Sequence, residues 1–228
     1  MGKIDIEAKD YFSDSKRFAD IFNFWIYEGR TVIQPHGLKE IDSQEIALPH
    51  GNNVKSPIQK FRDLLNIYAS MEYDRAIYLI LGLEFESKIH YAMPVRTMLY
   101  DAMNYSEQIQ KISKIHRNKK STQKMNNSEY LSGFLKNDRL IPVITLTVNI
   151  SGSKWDGATN IHEMLDINDK FLLGFIPNYH INLLSPDQID DKDFDKFTTG
   201  IGSLLQFIKH KNDKNMDWIK VKKNALNM

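Results

Sequence analysis

Two strand-like runs near the middle of the chain carry the residues best suited to chemistry. In the second run, residues 76–86, apolar and other side chains alternate strictly, so Glu84 and Glu86 share one face of a strand. Asp63 belongs to the run before it, residues 61–71, and the polar residues between the two runs predict a hairpin turn. Acids gathered at one strand end repel one another unless a cation lies between them, which is typical of a divalent-cation site.

The predicted turn also decides which residues of the hairpin face each other. Folding about its middle places Asp63 opposite Glu84 and Phe61 opposite Glu86, with facing Cβ atoms about 5 Å apart. A register shifted by one residue would turn Asp63 to the other face. Asp74 is excluded as a partner because it lies a full strand away from Glu84, about 33 Å at roughly 3.3 Å per residue. The alternative is a solvent-exposed hairpin end with unpaired acids.

A helix is predicted after the hairpin, because Pro94 suits a first helical turn and apolar residues then recur at helical spacing. Asp101, Tyr105 and Gln108 form a polar stripe beside the apolar one, since residues at this spacing share a helix face. The polar stripe either lines a cleft beside the acids or is a partly solvated surface. The predicted buried stripe consists of Val95, Met98, Leu99, Ala102, Ser106 and Ile109.

A basic segment, residues 111–124, follows this helix. It contains no acid, and neutralisation of backbone phosphates by Lys and Arg supplies most non-specific affinity for DNA. The segment is therefore either a DNA-binding element or a solvated loop. Its basic residues are Lys111, Lys114, Arg117, Lys119, Lys120 and Lys124.

The remaining parts of the chain contain one further acid and two histidines to consider, and one further strand. Residues 16–27 predict a helix with Asp20 on the side away from its main apolar stripe, where the side chain is either solvated or an additional carboxylate of a metal site. His36 and His50 lie in turn-rich sequence and are expected to be loop residues rather than ligands. Residues 140–150, rich in β-branched side chains, predict a central strand buried on both faces.

Composition limits the class of protein. The chain has 228 residues, 42% hydrophobic and 26% charged, which predicts one globular α/β domain. Its charged C-terminal segment, 209–228, is expected to fray. The absence of cysteine excludes disulfides and thiolate metal sites. The N-terminus lacks a signal-peptide pattern and no stretch reaches about 18 apolar residues, so a cytoplasmic protein outside the membrane is expected. A net charge of +1 leaves only local patches to attract nucleic acid.

Three colinear blocks add a family resemblance. They are RDLL, ILGLEFESKIHYAMPVRTMLYDAMNYSEQ and EYLSGFLKNDRLIPVITLTVNISGSKWDGATNIHEML. Together they resemble the Rpn family of recombination-promoting nucleases, also described as transposase-like, in the PD-(D/E)XK nuclease superfamily. The resemblance runs from about Tyr11 to Ile208, which implies a core of the domain over about residues 11–208.

The resemblance implies a restriction-endonuclease-like core, a central mixed sheet flanked by helices, and Mg²⁺-dependent cleavage of DNA, with Mn²⁺ able to substitute. The family's catalytic aspartate falls on Asp63, and its metal-binding glutamate falls on Glu84. The Phe85 carbonyl would be a further metal ligand, and Tyr105 with Gln108 matches a helical Tyr-x-x-Gln. The resemblance also implies a role in recombination of mobile DNA or in defence, and a homodimer, because double-strand cleavage by such folds generally needs two active sites.

Two positions depart from the family pattern. Phe85 stands where the family has Asn, and Glu86 stands where the family has Gln and the superfamily has Lys. Lys88 has the same strand parity, about 7 Å further along, and is able to reach back. Two hypotheses follow: a metal-dependent endonuclease in which Glu86 or Lys88 handles the attacking water, or a DNA-binding or interaction module with a damaged site. The sequence does not choose between DNA and RNA as substrate.

Overall fold

The computed structural model describes residues 3–41, 44–47, 58–61, 63–72, 75–118 and 125–211. Its strands are β1 (Leu38–Glu40), β2 (Gln44–Ala47), β3 (Ile58–Phe61), β4 (Leu64–Glu72), β5 (Arg75–Glu86), β6 (Val143–Asn149) and β7 (Asn182–Leu184). Its helices are α1 (Lys3–Phe12), α2 (Ser15–Tyr27), α3 (Met93–Asn118), α4 (Asn127–Ser132), α5 (Lys170–Leu173) and α6 (Ile201–His210). Short 3₁₀ turns occupy Pro35–Gly37, His162–Met164, Pro186–Gln188 and Asp191–Lys196. No helix within these residues is long and apolar enough to cross a membrane.

A five-stranded mixed sheet forms the centre of the described fold, in the order β1-β4-β5-β6-β7. The pairs β1–β4 and β4–β5 are antiparallel, whereas β6 runs parallel to β5 and β7 runs parallel to β6. Strands β2 and β3 form a separate antiparallel pair. The predicted α/β fold with a mixed sheet flanked by helices is therefore confirmed.

The register of the β4–β5 hairpin agrees with the sequence prediction. Leu64 pairs with Leu83 and Glu72 pairs with Arg75, so the chain folds about the middle of the predicted turn. Asp63 immediately precedes the first paired residue of β4. The predicted partnership of Phe61 with Glu86 is wrong, because Phe61 ends β3 and pairs with Gln44 of β2. The single strand predicted over residues 61–71 is thus divided between β3, which ends at Phe61, and β4, which begins at Leu64.

Helices α1, α2 and α6 pack against one face of the sheet. Their buried side chains form one apolar core with alternate residues of β5, which include Leu83 and Phe85. The rings of Phe12 in α1 and Phe85 lie 4.8 Å apart between centroids. Because successive strand residues point to opposite faces, Glu84 and Glu86 face away from this core and toward α3.

Helix α3 turns its polar side to the sheet, contrary to prediction. None of the six residues expected to form its buried stripe is buried, and Val95 and Met98 are 44% and 38% exposed. The reason lies in β6, which presents polar side chains to the helix: the Thr145 hydroxyl donates to Asp101 Oδ1 at 2.6 Å. The hydroxyl of Tyr179 donates to Asp101 Oδ2, also at 2.6 Å. These hydrogen bonds satisfy the polar groups that burial removes from water.

The first two residues of the C-terminal segment predicted to fray belong to a helix instead. Lys209 and His210 belong to α6, and the ammonium of Lys209 donates to the carbonyl of Ile189 at 2.7 Å and to Asp191 at 2.7 Å. The remainder of the predicted charged segment, 212–228, lies outside the described residues.

Candidate active site

The acids predicted to act together meet at the carboxyl end of β5, under the beginning of α3. Glu84 is fully buried and Glu86 is nearly so. Arg96 lies one turn into α3 and bridges them: its Nη2 donates to Glu84 Oε2 and its Nη1 to Glu86 Oε1, both at 2.8 Å. Its Nε donates to the hydroxyl of Tyr100 at 3.1 Å. A single guanidinium therefore holds both glutamates in fixed positions.

Asp63 reaches the same strand end from the side of β4. Its side chain is 4% exposed, and its Oδ2 accepts a hydrogen bond from the backbone N–H of Phe85 at 2.7 Å. The Asp63 carboxylate thus lies against the peptide group that joins Glu84 to Phe85. The structure brings Asp63, Glu84, Phe85 and Glu86 together, as the hairpin register predicted.

Burial controls the protonation of these acids. Burial raises the pKa of Asp63, against the lowering effects of the Phe85 N–H and of Arg96. Burial also raises the pKa of Glu86 to about 7; Arg96 opposes this shift, and Asp63 and Asp5 add to it. Burial works against the charge on Arg96, but Glu84 still raises the pKa of the guanidinium above its ordinary value. The cluster therefore contains more acid than its arginine neutralises.

The raised pKa of Glu86 predicts a pH dependence of stability. Between about pH 4.5 and about pH 7 the folded chain retains this proton and the unfolded chain does not, so the contribution of Glu86 to the free energy of unfolding falls as pH rises through this window. Glu86→Gln should flatten this decline when urea unfolding is followed from pH 4.5 to 8. The surface variant Glu107→Gln is the control. A decline as steep in Glu86→Gln as in the wild type would contradict the assignment.

An open cleft of about 300 Å³ lies beside the acids, and Asp5, Glu86, Lys88 and His90 line it with Ser87 and Ile89. Open α/β sheets generally bind ligands outside the carboxyl ends of their strands, which is where this cleft lies. Lys88 is exposed and lines this cleft, and it lies beyond Glu86, where β5 ends. Burial, together with Arg96, lowers the pKa of His90, so an uncharged imidazole is favoured there at neutral pH.

Three residues of this site were missed in the sequence: Asp5, His90 and Arg96. Asp5 comes from α1, whose sequence gives no link to a hairpin more than fifty residues away. For Arg96 the sequence does contain an indication, because Pro94 marks the start of α3 and so places the first turn of this helix just beyond the end of β5. Which side of that turn faces the acids depends on tertiary packing.

Tyr105 and Gln108 are not brought together with the acids. The hydroxyl of Tyr105 accepts from the Val143 N–H at 3.1 Å. The Gln108 amide accepts from the Ile141 N–H at 2.7 Å and donates to the Ile141 carbonyl at 3.1 Å. Val143 begins β6, whereas the residue paired with Glu84 is Thr147, about 13 Å further along the strand. Both side chains hold the start of β6 to α3.

Asp20 is a structural residue in this fold. It is 3% exposed, so the expectation of a solvated acid is wrong. Five hydrogen bonds reach its carboxylate, from the backbone N–H and hydroxyl groups of Thr198 and Thr199. These bonds tie α2 to the segment that leads into α6. The structure does not join Asp20 to the hairpin acids.

The basic segment is helical as far as the structure describes it, because α3 continues to Asn118. Lys111, Lys114 and Arg117 are exposed on this part of the helix, and Lys111 forms an ion pair with Glu107 at 2.6 Å. The loop alternative is therefore wrong for residues 111–118. Lys119, Lys120 and Lys124 lie outside the described residues, as does His50. His36 forms part of a 3₁₀ turn and lines a different cleft, of about 510 Å³.

The donor atoms at the end of β5 fit Mg²⁺ by their chemistry. Carboxylate and carbonyl oxygens are the ligands this ion prefers, and it commonly takes only one or two protein carboxylates besides water and phosphate. Asp63 and Glu84 supply such a pair. Within the described residues no group of three or more histidines and acids is arranged to hold a metal ion. Binding of a cation to Glu84 must therefore share or displace its contact with Arg96.

The chain matches no protein-family model, no curated protein and no solved structure. The resemblance to the Rpn family and the restriction-endonuclease-like character of the core therefore remain predictions.

Proposed function

We propose that this protein is a Mg²⁺-dependent endonuclease that hydrolyses phosphodiester bonds of DNA on a restriction-endonuclease-like core. One observation carries the proposal: Asp63, Glu84 and Glu86 converge, desolvated, at the carboxyl end of the central strand β5 beside an open cleft. Desolvated acids that repel one another are a poor choice for stability alone and are typical of functional sites.

Each residue has a distinct role in this proposal. Asp63, Glu84 and the carbonyl of Phe85 hold the metal ion, for which Mn²⁺ can substitute. When bound there, Mg²⁺ would lower the pKa of a water molecule and would stabilise the charge that develops on the phosphate. Glu86, with a pKa of about 7, accepts the proton of the attacking water near neutral pH. Arg96 fixes the position of Glu86, and Lys88 at the mouth of the cleft attracts the phosphate.

The proposed DNA contacts lie on α3. Lys111, Lys114 and Arg117 are exposed there, and phosphate neutralisation by such residues supplies most of the affinity for a duplex. Lys119, Lys120 and Lys124 follow in the sequence and belong to the same proposal. A cytoplasmic homodimer that acts in recombination or in defence is the biological setting that the family resemblance suggests.

Calorimetric titration with MgCl₂ and MnCl₂ tests the metal site directly. The wild type should show saturable binding, and Glu84→Gln should weaken it by at least about tenfold, because a lost ligand should weaken binding at least as much as a lost outer-shell partner does. In the presence of Mg²⁺, the wild type should likewise relax supercoiled plasmid faster than Glu84→Gln does. Absence of saturable binding, or equal binding by both proteins, would count against the nuclease proposal.

A second function is favoured by the Arg96 bridge. A resident guanidinium already neutralises part of the charge on Glu84 and Glu86, so part of the neutralisation that a metal ion would supply is present without one. The fold would then serve as a DNA-binding or interaction module without catalytic activity. This alternative predicts duplex binding with no saturable Mg²⁺ binding and no plasmid nicking.

A further inference from the structure

A short loop is docked on the far end of α3, opposite the acid cleft. The Nε2 of His116 and the Oδ2 of Asp138 lie 2.9 Å apart, and the same Asp138 oxygen accepts from the Leu135 N–H at 2.7 Å. Gly133 ends α4 with φ of 69°, and a Cβ at this position would collide with the side chain of Ser113 in α3. The loop of residues 133–139 is thus held against α3 by the hydrogen bond between His116 and Asp138 and by a close approach that only glycine permits.

This docking gathers cations from two separate parts of the chain. Lys114 and Arg117 of α3 and Lys136 and Arg139 of the loop are all exposed; we call these four residues the basic patch. Fewer acids lie in the same segments: Glu107 is paired with Lys111, which leaves the carboxylates of Glu129 and Asp138 beside these four cations. The surface therefore carries a local excess of positive charge.

Helix α3 connects the basic patch to the candidate active site at a defined distance. Lys114 follows Arg96 by five turns at about 3.6 residues per turn, so the two residues lie on the same side of the helix, about 27 Å apart along its axis. A B-form duplex rises about 3.4 Å per base pair, and it is straight over this length because its persistence length is about 150 base pairs. About eight base pairs span the separation.

We propose that the basic patch binds the phosphate backbone of a DNA duplex whose cleaved bond lies in the acid cleft, about eight base pairs away. The inference rests on the proposed function and deepens it by defining the substrate as duplex extending at least that far on one side of the cut. A stiff double helix reaches both places at once, whereas a flexible single strand gains less from a fixed spacing.

Binding of fluorescent DNA hairpins with stems of six and sixteen base pairs tests the proposal, measured by anisotropy in EDTA so that no cleavage occurs. The wild type should bind the longer stem at least about tenfold more tightly. The double variant Lys136→Glu with Arg139→Glu should remove most of that difference. It should also reduce the slope of log binding constant against log salt concentration by about two, because each lost phosphate contact contributes about 0.9. Lys192→Glu, at an exposed site on a 3₁₀ turn, is the matched control and should retain the difference.

A second pair, Lys114→Glu with Arg117→Glu, repeats the test if the loop variant unfolds. Three results would overturn the inference: equal weakening of both stems, equal affinity for a single strand and a duplex, or binding to vesicles of anionic phospholipid in place of DNA. Plasmid nicking by the wild type, assayed in parallel, separates the two proposals. If the wild type prefers the longer stem but does not nick plasmid, the nuclease proposal is contradicted and the binding of duplex by the basic patch stands. If the wild type nicks plasmid but binds both stems equally, the binding of duplex by the basic patch is contradicted and the nuclease proposal stands.

Discussion

Asp63→Asn is expected to reduce Mg²⁺-dependent nicking of plasmid DNA by at least about 100-fold while the chain remains folded. Even outer-shell partners of a metal ion contribute about 10- to 100-fold in affinity or activity, and a direct carboxylate ligand should contribute more. The asparagine retains an oxygen that can accept the Phe85 N–H, so the local geometry of the strand end should persist.

The stability of Asp63→Asn should not fall along with its activity. Burial raises the pKa of Asp63, so its charged form is disfavoured in the folded chain and its contribution to stability is lost as pH rises through the folded pKa. An asparagine cannot ionise and avoids this loss. We therefore expect the melting temperature of Asp63→Asn at pH 8 to equal or exceed that of the wild type.

Asp10→Asn is the matched control, because Asp10 is an exposed aspartate of α1. It should leave both nicking and melting temperature unchanged. Nicking by Asp63→Asn at the wild-type rate would remove Asp63 from the active site. Loss of nicking accompanied by a large fall in melting temperature would assign Asp63 a structural role instead.

Arg96→Gln is expected to destabilise the chain by about 3 kcal/mol or more at pH 8, because it leaves Glu84 and Glu86 without the cation that bridges them. The loss should be smaller at pH 5, where Glu86 is protonated. Since Arg96 lowers the pKa of Glu86, its removal should move that pKa above about 7. Urea unfolding at the two pH values measures the difference.

The same variant separates the two candidate functions. If the acids hold a divalent cation, Mg²⁺ can take over the neutralising role of the guanidinium, so it should restore a large part of the melting temperature lost in Arg96→Gln. Arg17→Gln is the control: its arginine stacks on the ring of Tyr11 at 4.1 Å, away from the acid pair. If Mg²⁺ stabilises both variants equally, the acid cluster is not a metal site and the non-catalytic module is favoured.

Local sequence was sufficient to predict the β4–β5 hairpin and therefore the positions of the acids at its end. The alternation of residues 76–86 fixed the face of Glu84 and Glu86, and the position of the turn fixed the register that places Asp63 beside them. Both signals are short-range, because a strand repeats every two residues and a hairpin pairs neighbours in sequence. The parallel strand β6 was also predicted from its own run of β-branched residues.

The tertiary structure alone decided what surrounds these acids. The face that α3 buries depends on the side chains that β6 offers, and because these include Thr145, the polar stripe faces inward and the apolar stripe outward. Asp20 is held by Thr198 and Thr199 at the other end of the chain, which no spacing in the sequence connects. For the same reason Arg96 was missed: a helix presents several sides, and packing alone selects the one that meets Glu84 and Glu86.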